Sequence, residues 1–268
     1  MANYQLGVIG AGQMAEALLR GVVAAGVLAR TDIVAADPDA KRRQVFTSEL
    51  GIDCRSDNSV PAACPRVLLA VKPQMLADVL AGIAPHVRPD ALVLSIAAGM
   101  RTSWIHEKLG DKGRILRIMP NTPMLIGRGA SALSLGPAAT AKDLAWADRL
   151  FAACGTTVHV AEPMLDAVTA VSGSGPAYFF YLVEALVAAG SAEGLAPDVA
   201  LRLAVETCRG AGELLARTGE KPEILRARVT SPKGTTQAAL DAMEAAGVKA
   251  ALVAAIRKAA ERSRELGK

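Results

Sequence analysis

The sequence predicts an α/β protein: an N-terminal Rossmann doubly wound sheet followed by a C-terminal all-α dimerisation domain. Three observations predict it. Short apolar runs alternate with amphipathic helical patterns through residue 160. Strand signals then stop, and helical patterns alone continue. The first apolar run breaks at once into a glycine turn that opens a helix.

Strands are expected at 5–9, 32–36, 66–71, 91–97, 114–119, 130–134 and 156–160. Amphipathic helices near 12–26, 38–50, 74–84, 101–109 and 140–153 lie between most of them, which implies a parallel sheet. Beyond Val160, helices are expected near 163–171, 176–192, 197–217, 222–229, 235–246 and 248–266. The Ala161-Glu162-Pro163 break divides a dinucleotide-binding domain, 1–161, from a helical dimerisation and substrate domain, 162–268.

With 268 residues the chain can bury a sizeable core in one large or two modest domains. The net charge of +4 is mild. The basic residues are scattered, densest at Lys41-Arg42-Arg43, and no aromatics interleave them, which argues against nucleic-acid binding. Four cysteines (54, 64, 154 and 208) form no C-x-x-C pair, as expected in a reducing cytoplasm. The chain enters its first strand almost immediately, leaving no room for a targeting segment, so a cytoplasmic location is expected. No apolar run reaches membrane-spanning length; the best candidate, 176–190, carries Glu184. Three well-separated histidines argue against a His-based metal site. The 176–190 helix is apolar on several faces, which predicts an obligate homodimer through the second half.

The glycine turn reads Ile9-Gly10-Ala11-Gly12-Gln13-Met14-Ala15, the G-x-G-x-x-A form of the dinucleotide fingerprint. Gly10 supplies the turn, Gly12 lets the backbone approach a pyrophosphate, and the helix N-terminus favours its charge. The same pattern also serves as a glycine-rich structural turn. Asp37 closes the second strand about 25 residues further on, where a Rossmann acid meets ribose hydroxyls. Its carboxylate favours NADH and repels a 2′-phosphate, whereas Lys41, Arg42 and Arg43 would neutralise one. Helix capping by Asp37 or Asp39 is an equal reading.

Three turns follow at the same sheet edge. Ala70-Val71-Lys72-Pro73 ends one strand, with Lys72 either facing cofactor or lying as a solvated lysine. Ala97-Ala98-Gly99 ends the next in side chains small enough for a flat ring, or simply turns the chain. Met119-Pro120-Asn121-Thr122-Pro123 is a rigid turn or a site wall. Ser172-Gly173-Ser174-Gly175-Pro176-Ala177-Tyr178 opens an apolar helix; with no lysine after the glycines it is a poor phosphate loop, and close helix packing explains it more simply.

The 229–236 stretch, Val-Thr-Ser-Pro-Lys-Gly-Thr-Thr, precedes a helix. Its helix-terminal amides with the Ser231, Thr235 and Thr236 hydroxyls make a carboxylate cradle, or a threonine that simply caps.

Taken in order, the 9–18 turn, Ala70 to Pro73, Asn121-Thr122-Pro123, Asp166-Ala167-Val168-Thr169, 172–178 and 231–236 resemble pyrroline-5-carboxylate reductase along essentially the whole chain. The resemblance implies NAD(P)H-dependent reduction of 1-pyrroline-5-carboxylate to L-proline by a homodimer, five of which assemble into a decamer. It implies cofactor contacts at Ile9, Gly10, Ala11, Gly12, Gln13, Met14, Asp37, Asn58, Ala70, Val71, Lys72, Pro73, Ala97 and Ala98. It implies substrate contacts at Glu162, Ser231, Gly234, Thr235 and Thr236, with Thr236 on the ring nitrogen as the catalytic residue, and no metal.

Three positions depart from the family pattern. Lys233 stands where a second glycine is usual, Arg228 where some relatives carry asparagine, and Asp37 where some carry serine. Asp37 therefore favours NADH acceptance beside NADPH. A cyclic imine accepts hydride best when its nitrogen is protonated or hydrogen-bonded, so positioning outweighs proton transfer by a threonine, a poor acid. A 3-hydroxyacid dehydrogenase shares the two-domain plan but resembles its relatives in a catalytic lysine early in the helical domain, and 176–190 contains none. A cofactor-binding regulator without turnover is the non-enzymatic alternative, and the intact 231–236 loop argues against it.

Overall fold

In the computed structural model, which describes residues 4–267, the chain forms two compact units. The first runs through Gly173 and takes in the chain again from Ala259; the second is Ser174–Lys258.

The first unit is built on eight strands: β1 (Leu6–Ile9), β2 (Ile33–Ala36), β3 (Asp53–Arg55), β4 (Arg66–Leu69), β5 (Leu92–Ser95), β6 (Arg114–Met119), β7 (Gly129–Leu135) and β8 (Gly155–His159). They lie in the order β3-β2-β1-β4-β5-β6-β7-β8, so the winding reverses between β1 and β4. Ligands bind such sheets at that switch point, beyond the C-terminal strand ends. Every residue of β1, β2 and β5 is buried, as in strands covered on both faces.

The covering helices are α1 (Gln13–Ala24), α2 (Ala40–Gln44), α3 (Ser59–Ala62), α4 (Pro73–Ile83), α5 (Thr102–Lys108), α6 (Ala141–Ala152) and α7 (Leu165–Val168). One core joins Leu18, Phe46 and Phe151; another joins Leu76, Leu80 and Ile105. Each such buried side chain contributes about 2 kcal/mol. Pro73 opens α4, where its fixed φ and missing N–H cost nothing. A reciprocal cap opens α6: Asp143 donates its N–H to Thr140 Oγ1 at 3.3 Å and accepts the Thr140 N–H at 3.0 Å.

The sheet departs from the all-parallel expectation at one pair. β6 and β7 run antiparallel, because residues 120–128 hold only a 3₁₀ turn, Thr122–Ile126, too short for a parallel crossover. β3 and α3 were not expected; β3 is a partly exposed Asp-Cys-Arg without alternation, and α3 is a single turn. The expected 38–50 helix passes from α2 into a π segment, Val45–Leu50. The 163–171 helix divides into a 3₁₀ turn, α7 and a second π segment, Thr169–Gly173. These residues belong to the first unit, with Leu165 and Ala170 buried in it. The first segment of this unit thus runs to Gly173, whereas the sequence break lies at 161–163.

The second unit comprises α8 (Gly175–Ala192), α9 (Pro197–Thr218), α10 (Pro222–Arg228), α11 (Thr235–Ala245) and the first part of α12 (Val248–Leu266). α8 packs closely on α9, where a Cβ on Gly190 would lie 3.3 Å from that of Ala200. Large apolar side chains on α8 remain uncovered, with Phe180 63% and Tyr181 74% exposed. No described helix is long and apolar enough to cross a membrane.

Candidate active site

β1 delivers the chain into Gly10, whose φ of +96° belongs to the left-handed side that glycine favours. A Cβ there would also sit 2.8 Å from the Ala70 carbonyl oxygen at the end of β4. Gly12 is different. Its φ of −70° and ψ of 178° suit any residue, and a Cβ would meet no protein atom within 4 Å. Neither backbone nor packing requires glycine at Gly12, which leaves approach by a ligand as the physical reason. α1 begins at Gln13 with no side chain capping it, so its first amides face the same space. These residues fit a dinucleotide pyrophosphate.

The acid beside the turn is held in place. Asp37 Oδ2 accepts the Ala11 N–H at 2.7 Å and Oδ1 accepts the Asp39 N–H at 2.9 Å. Helix capping falls to Asp39, which accepts from Lys41 N at 2.8 Å. Arg42 Nε donates to the Ala11 carbonyl and Nη2 to Glu16, both at 2.6 Å. Burial pushes the Glu16 carboxyl up, but hydrogen bonds from Arg42 and Arg20 outweigh it and hold it below the usual range. Arg43 donates to the carbonyls of Pro38 at 2.7 Å and Asp37 at 3.0 Å. Lys41 alone of the three is exposed rather than half-buried. Nearby, burial and then the Asp37 charge push the Cys54 thiol up to about 11, so it stays protonated.

Ile9, Gly10, Ala11, Gly12, Gln13, Met14, Asp37, Ala70, Val71, Lys72, Pro73, Ala97 and Ala98 all follow or end the parallel strands β1, β2, β4 and β5 at one sheet edge. Ala70 N–H bonds to the Ile9 carbonyl at 2.8 Å. Lys72 is exposed at the N-cap of α4 and makes no capping bond. Ala97 is buried, with its N–H on Ser95 Oγ at 3.3 Å. Asn58 precedes α3, half-buried and without a side-chain cap bond. Asn121, by contrast, ties its turn to β7 and to the second π segment: Oδ1 accepts Ala130 N–H at 2.8 Å and Nδ2 donates to Ser172 Oγ at 3.2 Å.

Glu162 sits in a buried polar cluster of the first unit. Its two oxygens accept the N–H and hydroxyl of Thr102 at 2.8 and 2.7 Å, and Arg117 approaches to 3.6 Å. Arg117 is 3% exposed on β6 and lies 3.7 Å from Asp166, which accepts the Ser263 hydroxyl at 2.7 Å. Sequence reasoning passed over Thr102, Arg117 and Ser263; the signal for Arg117 was a lone charge inside the apolar run Ile-Leu-Arg-Ile-Met.

In the second unit, α11 starts at Thr235 with Gly234 as N-cap and no side-chain cap bond. The hydroxyls of Ser231, Thr235 and Thr236 therefore do not cap it. A Cβ on Gly234 would collide with the Ser231 side chain. Lys233 holds φ at +62°, a left-handed conformation that glycine adopts more readily. Arg228 is taken by Glu220 at 2.6 Å.

A doubly wound sheet with a ligand-ready glycine turn at its switch point, joined to a helical unit, defines an NAD(P)-dependent oxidoreductase. Residues 162–266 match a family model described as pyrroline-5-carboxylate reductase dimerisation. Residues 5–99 match one described as NADP oxidoreductase coenzyme F420-dependent. The chain is 40% identical to a pyrroline-5-carboxylate reductase of Methanosarcina acetivorans over 100% of both chains. It is 42% identical to one of Pisum sativum, over 98% of this chain and 96% of that one. Among solved structures, a pyrroline-5-carboxylate reductase from Coxiella burnetii matches with a TM-score of 0.92 at 31% identity, covering 99% of each chain. The pyrroline carboxylate reductase of Plasmodium falciparum with NADP bound matches at 0.88 and 29%, covering 100% of each. The chain belongs to the pyrroline-5-carboxylate reductase family, NAD(P)H-dependent enzymes that reduce 1-pyrroline-5-carboxylate to proline.

Proposed function

We propose that the 231–236 loop receives the imino acid. The observation that carries this is the start of α11: its first amides lack a side-chain cap while three hydroxyls cluster beside them. Helix-terminal amides and the positive helix end favour the substrate carboxylate. Ser231 and Thr235 add donors, Gly234 keeps the loop narrow, and the Thr236 hydroxyl bonds the ring nitrogen. In the first unit, Glu162 keeps lone pairs beyond the two bonds from Thr102, which is compatible with the substrate role that the resemblance implies for it. Thr236 is too weak an acid to protonate the imine outright, so its work is orientation and relay from water.

When bound, the reduced nicotinamide supplies hydride to the ring C=N carbon. The turn from Ile9 to Met14 holds the pyrophosphate, Ala97 and Ala98 leave room for the flat ring, and Ala70 to Pro73 with Asn58 line the remainder. Asp37 has unused lone pairs for ribose hydroxyls, while Arg42 and Arg43 are engaged by protein acceptors. That balance supports use of NADH as well as NADPH. The exposed apolar side chains of α8 support a homodimer through the helical unit, extended to a decamer as the resemblance implies. Four free thiols support a reducing, cytoplasmic setting, and the scattered basic residues support a small-molecule role without nucleic acid.

The test is Thr236→Val, which keeps shape and removes the hydroxyl. Proline formation is expected to fall about a hundred-fold in kcat with cofactor affinity unchanged. An unaltered kcat would remove Thr236 from the chemistry.

A further inference from the structure

A recess of about 310 Å³ opens at the N-terminal ends of β4, β5 and β6, the sheet edge opposite the glycine turn. Arg66 and Arg114 begin their strands there, and α6 presents Lys142, Trp146 and Arg149 at i, i+4 and i+7 spacing. Two acids also line it, and both are already engaged. Asp143 is gripped by Arg114 at 2.9 and 3.1 Å, and the Asp90 carboxylate is held by Arg88 at 3.2 Å. Arg66, Lys142 and Arg149 have no hydrogen-bond or ion-pair partner among the described residues.

Arg66 has a specific geometry. Its guanidinium lies 4.6 Å from the Trp146 ring centroid. Contact through that face leaves the N–H edge available, and a planar edge of donors matches an oxyanion bidentately. Burial, then the neighbouring Arg114, lowers the affinity of this guanidinium for its proton, and Arg149 adds to the effect against Asp143. Cation–π contact accounts for Arg66 alone; it gives no reason for Lys142 and Arg149 to line the same recess, where four cations face two acids already engaged by Arg114 and Arg88.

We infer that this recess is a second anion site, separate from the cofactor edge, for a small phosphate-bearing metabolite held between Arg66, Lys142 and Arg149. The inference is independent of the reaction at the 231–236 loop. The probe is inorganic pyrophosphate, titrated calorimetrically into the intact protein saturated with NADP⁺ so that the glycine turn is already filled. Saturable binding at about one site per chain is expected, weakened at least about ten-fold by Arg66→Gln and by Arg149→Gln. Arg149 is exposed on α6, so its variant tests the site even if Arg66→Gln disturbs packing on Trp146. No saturable heat, heat reproduced by sodium chloride at equal ionic strength, or affinity unchanged in both variants would each overturn the assignment.

Discussion

Asp37 holds Ala11: its carboxylate Oδ2 accepts the Ala11 backbone N–H at 2.7 Å, which ties the end of β2 to the middle of the glycine turn. One side chain thus shapes the glycine turn and, in the proposed reading, also presents negative charge to the cofactor ribose. Asp37→Ser removes that charge. NADH kcat/KM should fall about ten-fold, the scale of one charged hydrogen bond, while NADPH use rises. Steady-state rates with each cofactor check this.

Gly12→Ala separates a binding turn from a structural one. A Cβ at Gly12 meets no protein atom and the backbone angles are ordinary, so thermal stability should stay within about 0.5 kcal/mol of the parent. Cofactor binding, followed by nicotinamide fluorescence, should weaken by about a hundred-fold because the methyl fills the phosphate approach.

Lys233 carries a left-handed conformation without being glycine. Lys233→Gly should raise stability by about 1 kcal/mol, whereas Lys233→Ala should not. If the ammonium assists the substrate carboxylate, KM for the imino acid rises in both variants. Melting curves and substrate titrations read the two effects separately.

Asp143 supplies an acid-sensitive contact. Burial pushes its carboxyl up, but the Arg114 and Thr140 hydrogen bonds outweigh this and hold it below the usual range. The unfolded chain therefore takes up protons first as the pH falls, and stability present above about pH 4 is lost below it. Asp143→Asn should lower the melting temperature at neutral pH and flatten its decline under acid, as calorimetry across pH would record.

Arg117 is the buried charge between Glu162 and Asp166. Arg117→Met removes the cation and leaves both carboxylates uncompensated, which should cost about 3 kcal/mol of stability. Chemical denaturation measures it directly.

The pattern of the sequence carried the sheet well where strands are buried and apolar, as in β1, β4 and β5. It missed β3, since a partly exposed Asp-Cys-Arg has no periodicity. The antiparallel β7 was foreshadowed by the lack of a helix between Met119 and residue 130, a spacing that an all-parallel reading overlooks. The glycine turn was visible as local chemistry. The bond from Ala11 to Asp37 spans 26 residues and that from Thr102 to Glu162 spans 60, so neither shows in any local window. Choosing between Asp37 and Asp39 as helix cap likewise needed the backbone, because both stand at cap-compatible positions.

The most direct measurement follows oxidation of reduced nicotinamide by the purified chain on addition of 1-pyrroline-5-carboxylate, with proline quantified in the same sample. Substrate-dependent oxidation matched one-for-one by proline, with NADH as well as NADPH, is the predicted result. Oxidation no faster than without protein, or oxidation without proline, would contradict the account.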